Sequence, residues 1–393
     1  MEEGIPFHLP VKASLFSLLG SFFFCLDVAL DVWTIVSLYK EQEYVYMGLL
    51  IALLLLSSIL VQVFSWIWYK EKNMETSTDK FAEKYNLIGP LHFLQLGVFL
   101  RCASLVELSI RKVLKFDIFQ EAVAVHLKHD LSMLRLFETF SESIPQIVLM
   151  ITIIMQDFFS LSIKFVNILF FAVSFLMLAL TVMSYHRHMR EFVPEDKKMN
   201  WLSSGAFFLW NLFLITPRVV AVALFASVLP CFIAVHFLCL WLLLVLCVWR
   251  QKTDFMENAA GEWLYRATVG LIWYFSWFNV SGKNTRIKRI LYHVLMGADT
   301  ALLLVLWFWR TSVESACRNP LPINPYVLLV ALPVLYIIGL LLNLLYYWKF
   351  HPKREKTPRL RSASVGLLDT DSAAETPQTG VHKRMKNMDN NFW

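Results

Sequence analysis

The stretch HDLSMLRLFETFSESIPQIVLMITIIMQ, residues 129–156, decides how the rest of the chain is read. From Ser132 it is long and apolar enough to cross the ~30 Å hydrocarbon layer that ~20 helical residues span. Yet Arg135, Glu138, Glu142 and Gln146 fall at i, i+3, i+7 and i+11, one polar stripe on an otherwise apolar helix. Asp130 is expected to open this helix at its N-terminus, where an anion is favoured. Pro145 is expected to bend it and to free a carbonyl one turn back. A helix of this kind belongs inside a membrane, against other helices that receive its charges.

The composition agrees. Of 393 residues, 57% are hydrophobic by type and 17% charged, with a mean hydropathy of +0.54. Soluble domains lie near 45–50% and about 25%, and one core stops growing at roughly 250–300 residues. A soluble globule is excluded. Ten apolar segments stand out, at 14–39, 45–69, 86–110, 132–156, 160–186, 202–227, 229–250, 263–280, 288–309 and 326–349. The start MEEGIPFHLPVK has no basic region and no cleavage signal follows, so the first run is expected to remain as an anchor.

Lys and Arg in the connections orient these segments, because short basic loops stay cytosolic. Connections 70–84 and 187–201 are basic, whereas 157–160 and 228 carry no Lys or Arg. The segments 86–110 and 263–280 have basic flanks at both ends: Lys84 and Arg111 for one, Arg250 and Lys283 for the other. Both therefore read as half-inserted helices that enter and leave on the cytosolic side. The expected fold is an all-α polytopic membrane protein with eight transmembrane helices and two half-inserted helices, in two pseudo-symmetric repeats.

The domains follow from this count. Residues 1–13 form a cytosolic N-terminus, 14–186 the first membrane repeat, 187–201 a cytosolic connection, 202–349 the second repeat, and 350–393 a disordered cytosolic tail. Aromatic residues near segment ends (Trp66, Trp68, Tyr69; Trp307, Trp309; Tyr346, Tyr347, Trp348) read as interfacial belts.

Charges expected within the bilayer are Asp27 and Asp31, four apart on one helix face, the stripe from Arg135 to Gln146, Arg101, Glu107, Arg218 and Asp299. They serve either as interhelical glue or as a polar seam for passage of an ion, a polar solute or a lipid headgroup. His186 and His188 read as an interfacial basic cluster, and Asn279-Val280-Ser281 as an unused glycosylation pattern. Six cysteines without a C-x-x-C pair speak against a zinc site or a disulfide framework. There is no P-loop, G-x-G-x-x-G, H-E-x-x-H or nucleophile triad, so no enzyme, cofactor or metal is expected. The net charge of +6 reflects topology, not nucleic-acid binding.

The strings DLSMLRLFETF (130–140), ESIPQIVL (142–149), FCLDVALDVW (24–33), FLWNLFLITPRVVAVALF (208–225), TDFMENAAGEWLYR (253–266) and IWYFSWFNVSGKNTR (272–286) closely resemble the XK-related family, and in particular its caspase-activated phospholipid scramblases. The resemblance covers about residues 14–350. It implies eight spans, two half-inserted helices and an internal repeat. It also implies ATP- and calcium-independent lipid exchange that exposes phosphatidylserine on apoptotic cells at the plasma membrane, both termini being cytosolic. A single-span immunoglobulin-type partner, basigin or neuroplastin, is implied as well.

On this resemblance Asp27, Asp31, Asp130, Glu138, Glu142, Arg187, Arg218 and Asp299 line a headgroup path, which Arg135 joins through its place on the stripe. Tyr46 stands where relatives carry a tryptophan gate, and Ser184 where relatives often carry Asp. Activation requires caspases to cut the tail. Leu368-Asp369-Thr370-Asp371 followed by Ser372-Ala373 offers Asp before a small residue, so Asp371 is the expected cleavage site, ahead of Asp369 and Asp389. Two routes from cleavage to activity stay open: the tail plugs the cytosolic side, or its loss permits a homodimer. A small-solute transporter or channel and a non-transporting membrane partner are the alternative functions.

Overall fold

The computed structural model describes residues 28–70, 76–114, 118–156, 165–191, 201–256, 258–280, 285–314 and 324–350. Asp27, Asp371, Ser372, Ser281 and the N- and C-terminal segments lie outside them. The described residues form helices throughout. In chain order they are α1 (28–40), α2 (Tyr44–Lys70), α3 (Ser77–Lys84), α4 (Ile88–Phe93), α5 (Gly97–Leu114), α6 (Ile118–Glu138), a π-helical turn (Thr139–Ser143), α7 (Ile144–Gln156), α8 (Phe165–Glu191), α9 (Trp201–Val228), α10 (Pro230–Arg250), α11 (Ala259–Phe275), α12 (Thr285–Glu314) and α13 (Pro325–Leu345), with a last π turn at Tyr346–Phe350.

Six stretches are long and apolar enough to cross a bilayer: Tyr44–Tyr69, His126–Gln156, Leu202–Val228, Pro230–Arg250, Thr285–Val313 and Pro325–Lys349. They coincide with six of the ten apolar segments. The outward faces of α10 and α13 are lined by exposed Val, Leu and Ile, as a lipid-facing surface demands.

The helix holding the polar stripe begins earlier than its hydropathy suggests. α6 starts at Ile118, so Asp130 sits well inside it and not at an N-terminus. The macrodipole does not stabilise this carboxylate; Arg101 does. Pro145 leaves its mark one turn upstream, where the backbone widens into the π turn and the Ile144 N–H donates to the Thr139 carbonyl. A proline cannot bond the carbonyl four residues back, and the wider turn takes up that mismatch without a break.

The segment 86–110 is two helices. The chain turns between α4 and α5 at Gln95, whose φ of 64° is left-handed. The turn's polar groups are met by α2: Gln62 donates to the Gln95 carbonyl at 2.9 Å and accepts from the Gly97 N–H at 3.1 Å. Ser58 donates to the Gln95 side chain at 2.6 Å. Non-helical backbone inside an apolar bundle persists only where protein satisfies it in this way. Gly97 is needed because a Cβ there would enter the space of His92 and Gln62.

Both α5 and α11 carry a Glu-x-x-x-Arg clamp on backbone N–H groups earlier in the chain, at the start of α3 for α5 and in the preceding loop for α11. Glu107 accepts from the Ser77 and Thr78 N–H groups at 3.0 and 2.8 Å and pairs with Arg111 at 2.8 Å. Burial alone would raise the Glu107 carboxyl, but the Thr78 and Ser77 donors and Arg111 outweigh it and hold it below its ordinary value. Glu262 accepts from the Phe255 and Met256 N–H groups at 2.8 and 2.7 Å, with Arg266 at 3.5 Å.

The aromatic belts divide by helix face. Trp66, Trp309 and Trp348 are exposed, whereas Trp68, Tyr69, Trp307 and Tyr346 are buried. The latter four are core residues, because their positions turn toward neighbouring helices. Trp68 packs on Phe64, Phe137 and Phe255. Tyr346 stacks on Trp210 with centroids 5.9 Å apart.

Gly97→Val should lower thermal stability in detergent by about 1–3 kcal/mol, the usual cost of overpacking. Gly48→Ala, which meets open space, should leave the unfolding midpoint unchanged or slightly raised.

Candidate functional site

The buried charges gather in three clusters. The first joins α2, α5 and α6. Arg101 is 0% exposed and donates to Asp130 at 3.0 Å, to the Ser65 hydroxyl at 2.9 Å and to the Ser65 carbonyl at 2.8 Å. Its guanidinium lies 4.2 Å from the centre of the Tyr69 ring. Tyr69 in turn donates to Asp79, fully buried, which also accepts from Ser104 at 2.7 Å. Each nitrogen of Arg101 thus meets a group held by another helix, which is how a guanidinium is kept in an apolar interior.

The second cluster joins α1 to the π turn and α7. Asp31, Glu142 and Gln146 are all buried, and Asp31 makes side-chain hydrogen bonds with Gln146 and Glu142. Two carboxyls can hydrogen-bond only with a proton between them. Arg135 donates to Glu138 at 2.9 Å on the same stripe, and this pair keeps 22% and 15% of its side-chain surface accessible. Further along α7, Gln156 accepts from Tyr46 and donates to the Ser227 carbonyl at 3.0 Å. Thr152 donates to the Ala223 carbonyl at 3.3 Å. These two bonds fasten α7 to α9.

The third cluster lies beyond that contact, where α9, α10, α11 and α12 converge. Arg218 is 2% exposed. It donates to Asp299 at 2.5 Å, to Thr300 at 3.3 Å and, through Nε, to the Tyr274 carbonyl at 3.1 Å. Tyr274 lies in the last turn of α11, so Arg218 satisfies a carbonyl that the helix itself leaves open. Asp299 also bonds His236 at 3.0 Å, and the other nitrogen of His236 bonds the Tyr274 hydroxyl at 3.0 Å.

Of the residues expected on the path, Asp31, Glu138, Glu142 and Arg135 come together, Arg218 and Asp299 form a direct pair, and Asp130 belongs to the Arg101 cluster. Tyr46 is tied to Gln156 and packs beside Leu38 and Leu50. Arg187 stands apart on α8 near His188 and Lys128. Asp27 lies outside the described residues. His236, Tyr274, Asp79 and Ser65 were not foreseen. His236 sits in a run that reads as plain span, and Asp79 in a basic connection that reads as loop. No grouping of His, Cys, Asp and Glu suited to a metal ion occurs among the described residues.

Helices that cross a bilayer many times, locked together by buried ion pairs, define a multi-pass membrane protein. The family description "XK-related protein" matches residues 15–352. XK-related protein 8 of Tetraodon nigroviridis is 43% identical over 366 residues, covering 91% of this chain and 88% of that protein. XK-related protein 8 of Pan troglodytes is 35% identical over 385 residues, covering 95% and 92%. XK-related protein 9 of Tetraodon nigroviridis is 29% identical over 359 residues, covering 86% and 90%. The chain belongs to the XK-related family.

Asp299→Ala should cost about 3–5 kcal/mol, because it leaves Arg218 buried without its carboxylate. The double variant Arg218→Met with Asp299→Leu should cost much less than the sum of the single losses. Unfolding of all the variants in the same detergent would measure the coupling.

Proposed function

We propose that this chain is a phospholipid scramblase of the plasma membrane, opened when a caspase cuts its tail after Asp371. In this reading eight spans and two half-inserted helices form two repeats with both ends cytosolic. Headgroups pass along a groove of acids and Arg while acyl chains stay in the bilayer. Exchange runs downhill in both directions, needs neither ATP nor calcium, and performs no covalent chemistry. Phosphatidylserine then reaches the outer surface, where it marks the apoptotic cell. A basigin- or neuroplastin-type partner accompanies the protein.

One observation carries the reading. The stripe Arg135–Glu138–Glu142–Gln146, joined by Asp31, is far more polar than interhelical glue requires, and its Arg135–Glu138 end stays partly accessible. An arginine that served only to hold helices would be closed off, as Arg101 is at 0% exposure, whereas Arg135 keeps 22% of its side-chain surface accessible. Family membership supports the same reading.

In cells, Asp371→Ala should hold phosphatidylserine exposure at background after caspase activation, with wild-type surface abundance; exposure at the wild-type rate would remove the tail from the mechanism. In proteoliposomes of the cut protein, Glu142→Gln should slow exchange of a headgroup-labelled lipid on the order of tenfold, the effect of about 1.4 kcal/mol. Ion or solute flux without lipid exchange would favour a transporter.

A further inference from the structure

A cavity of about 130 Å³ lies among α6, α8, α9, α11 and the start of α12. A smaller one of about 20 Å³ continues from it toward Arg218. The two share Trp210, Asn211, Ser276 and Trp277 as walls, so they adjoin as two parts of one recess, with Arg289 lining the large part and Arg218 the small one. Among the described residues, neither part has an Asp or Glu in its wall.

Several donors in this recess are spare. Arg289 rests on the Tyr347 ring at 3.4 Å and forms no ion pair among the described residues. At the inner end, the Nη2 of Arg218 and the indole N–H of Trp210 are buried without a hydrogen-bond partner, as is Nε2 of His293. His293 follows Arg289 by one turn of α12, so that helix presents a cation and then an imidazole along the recess. Buried donors without acceptors are rare and costly, and here two of them, with an unpartnered imidazole nitrogen beside them, belong to residues that line the same small chamber.

We infer that this recess binds the phosphate of a lipid headgroup drawn from the leaflet at the Arg289 end. The inference rests on the scramblase reading and names a headgroup station separate from the Asp31–Glu142 stripe. A phosphate offers only acceptors, no carboxylate stands in the wall among the described residues, and a guanidinium fork matches its oxygens. One water-sized group needs about 10–15 Å³ of such space, so the large part holds roughly ten, about the heavy-atom count of a phosphorylated amino-alcohol headgroup. Its aromatic walls suit the glycerol and methylene groups that follow. Arg286, Lys288 and Lys349 lie near the same end, which would hold anionic lipid close to the mouth.

The test uses the full chain in detergent with dioctanoyl phosphatidylserine as probe, read by native mass spectrometry. Dioctanoylglycerol, which lacks phosphate, and water-soluble glycerophosphoserine, which lacks acyl chains, serve as comparison ligands. Arg289→Gln should weaken phosphatidylserine binding at least about tenfold, Arg289→Lys should fall between, and Lys80→Gln, at an exposed position of α3 away from the recess, should match wild type. Equal thermal midpoints for these variants would confirm that each is folded. Dioctanoylglycerol should not bind, and glycerophosphoserine should bind more weakly than the lipid; equal binding would make a soluble phosphate compound the ligand of the same site. The inference is overturned if Arg289→Gln binds within twofold of wild type, or if dioctanoylglycerol binds as well as the phospholipid. Lipid exchange by the cut protein is measured in parallel. Binding that survives in a protein that moves no lipid would sink the scramblase reading and leave the recess standing.

Discussion

A guanidinium that cannot reach water must find its partners within the protein, and the fold is arranged around two that do. On insertion scales a bare arginine at the centre of a span costs about 2.5–3.5 kcal/mol, and removing one partner of a buried pair costs about 3–5 kcal/mol. Arg101 and Arg218 meet this by taking bonds from several helices at once: α2 and α6 for Arg101, α11 and α12 for Arg218. Helices in a bilayer gain little from burying apolar side chains against one another, since lipid is as apolar as they are. Polar bonds of this kind therefore fix which helices meet and at what register.

Those two arginines serve different backbones. Arg101 sits on α5 and reaches a carbonyl in the interior of α2, while the turn before α5 is satisfied separately by Gln62. Arg218 sits beside Pro217 in α9 and reaches across to the open end of α11. Pro217 removes an N–H from its own helix, and α13 packs at that point: Gly339 lies so close to Leu214 and Phe213 that a Cβ would crowd both. One irregular turn of α9 thus gives close packing on one side and a charge on the other. Arg218 is accordingly a poor target for a simple alanine test of lipid passage, because its loss would also uncap α11.

Much of this was legible in the sequence, and the reasons for the rest are specific. Hydropathy locates helices because the bilayer imposes both length and composition, so six apolar segments return as long helices. Spacing along one helix is equally readable, and the stripe from Arg135 to Gln146 is a stripe in space. Partners across helices are not, since nothing local links Asp299 to His236 or Arg101 to Ser65. Hydropathy also misplaced the start of α6: residues 118–131 are too polar to look like a span, yet they continue the helix, and Asp130 moved from a cap into a buried pair. The aromatic belts failed in half their members for a related reason, as proximity to a segment end does not say whether a ring faces lipid or a neighbouring helix.

The three clusters carry different degrees of closure, and that gradient bears on function. The Arg101 guanidinium is sealed, with each of its nitrogens matched to an acceptor on a neighbouring helix, and so suits a fixed joint, although its partner Asp130 keeps 15% of its side-chain surface accessible. The Arg135–Glu138 end of the stripe is paired yet accessible, which suits a surface that exchanges partners. Arg218, which lines the recess, stands between these limits: three of its bonds are made and one nitrogen is left without a partner. A group already held in place loses little freedom when a ligand oxygen reaches that last nitrogen, so binding there draws on an orientation fixed by folding. The bonds to Asp299 and Tyr274 that make Arg218 a structural residue are therefore also what would make it an efficient one toward a phosphate.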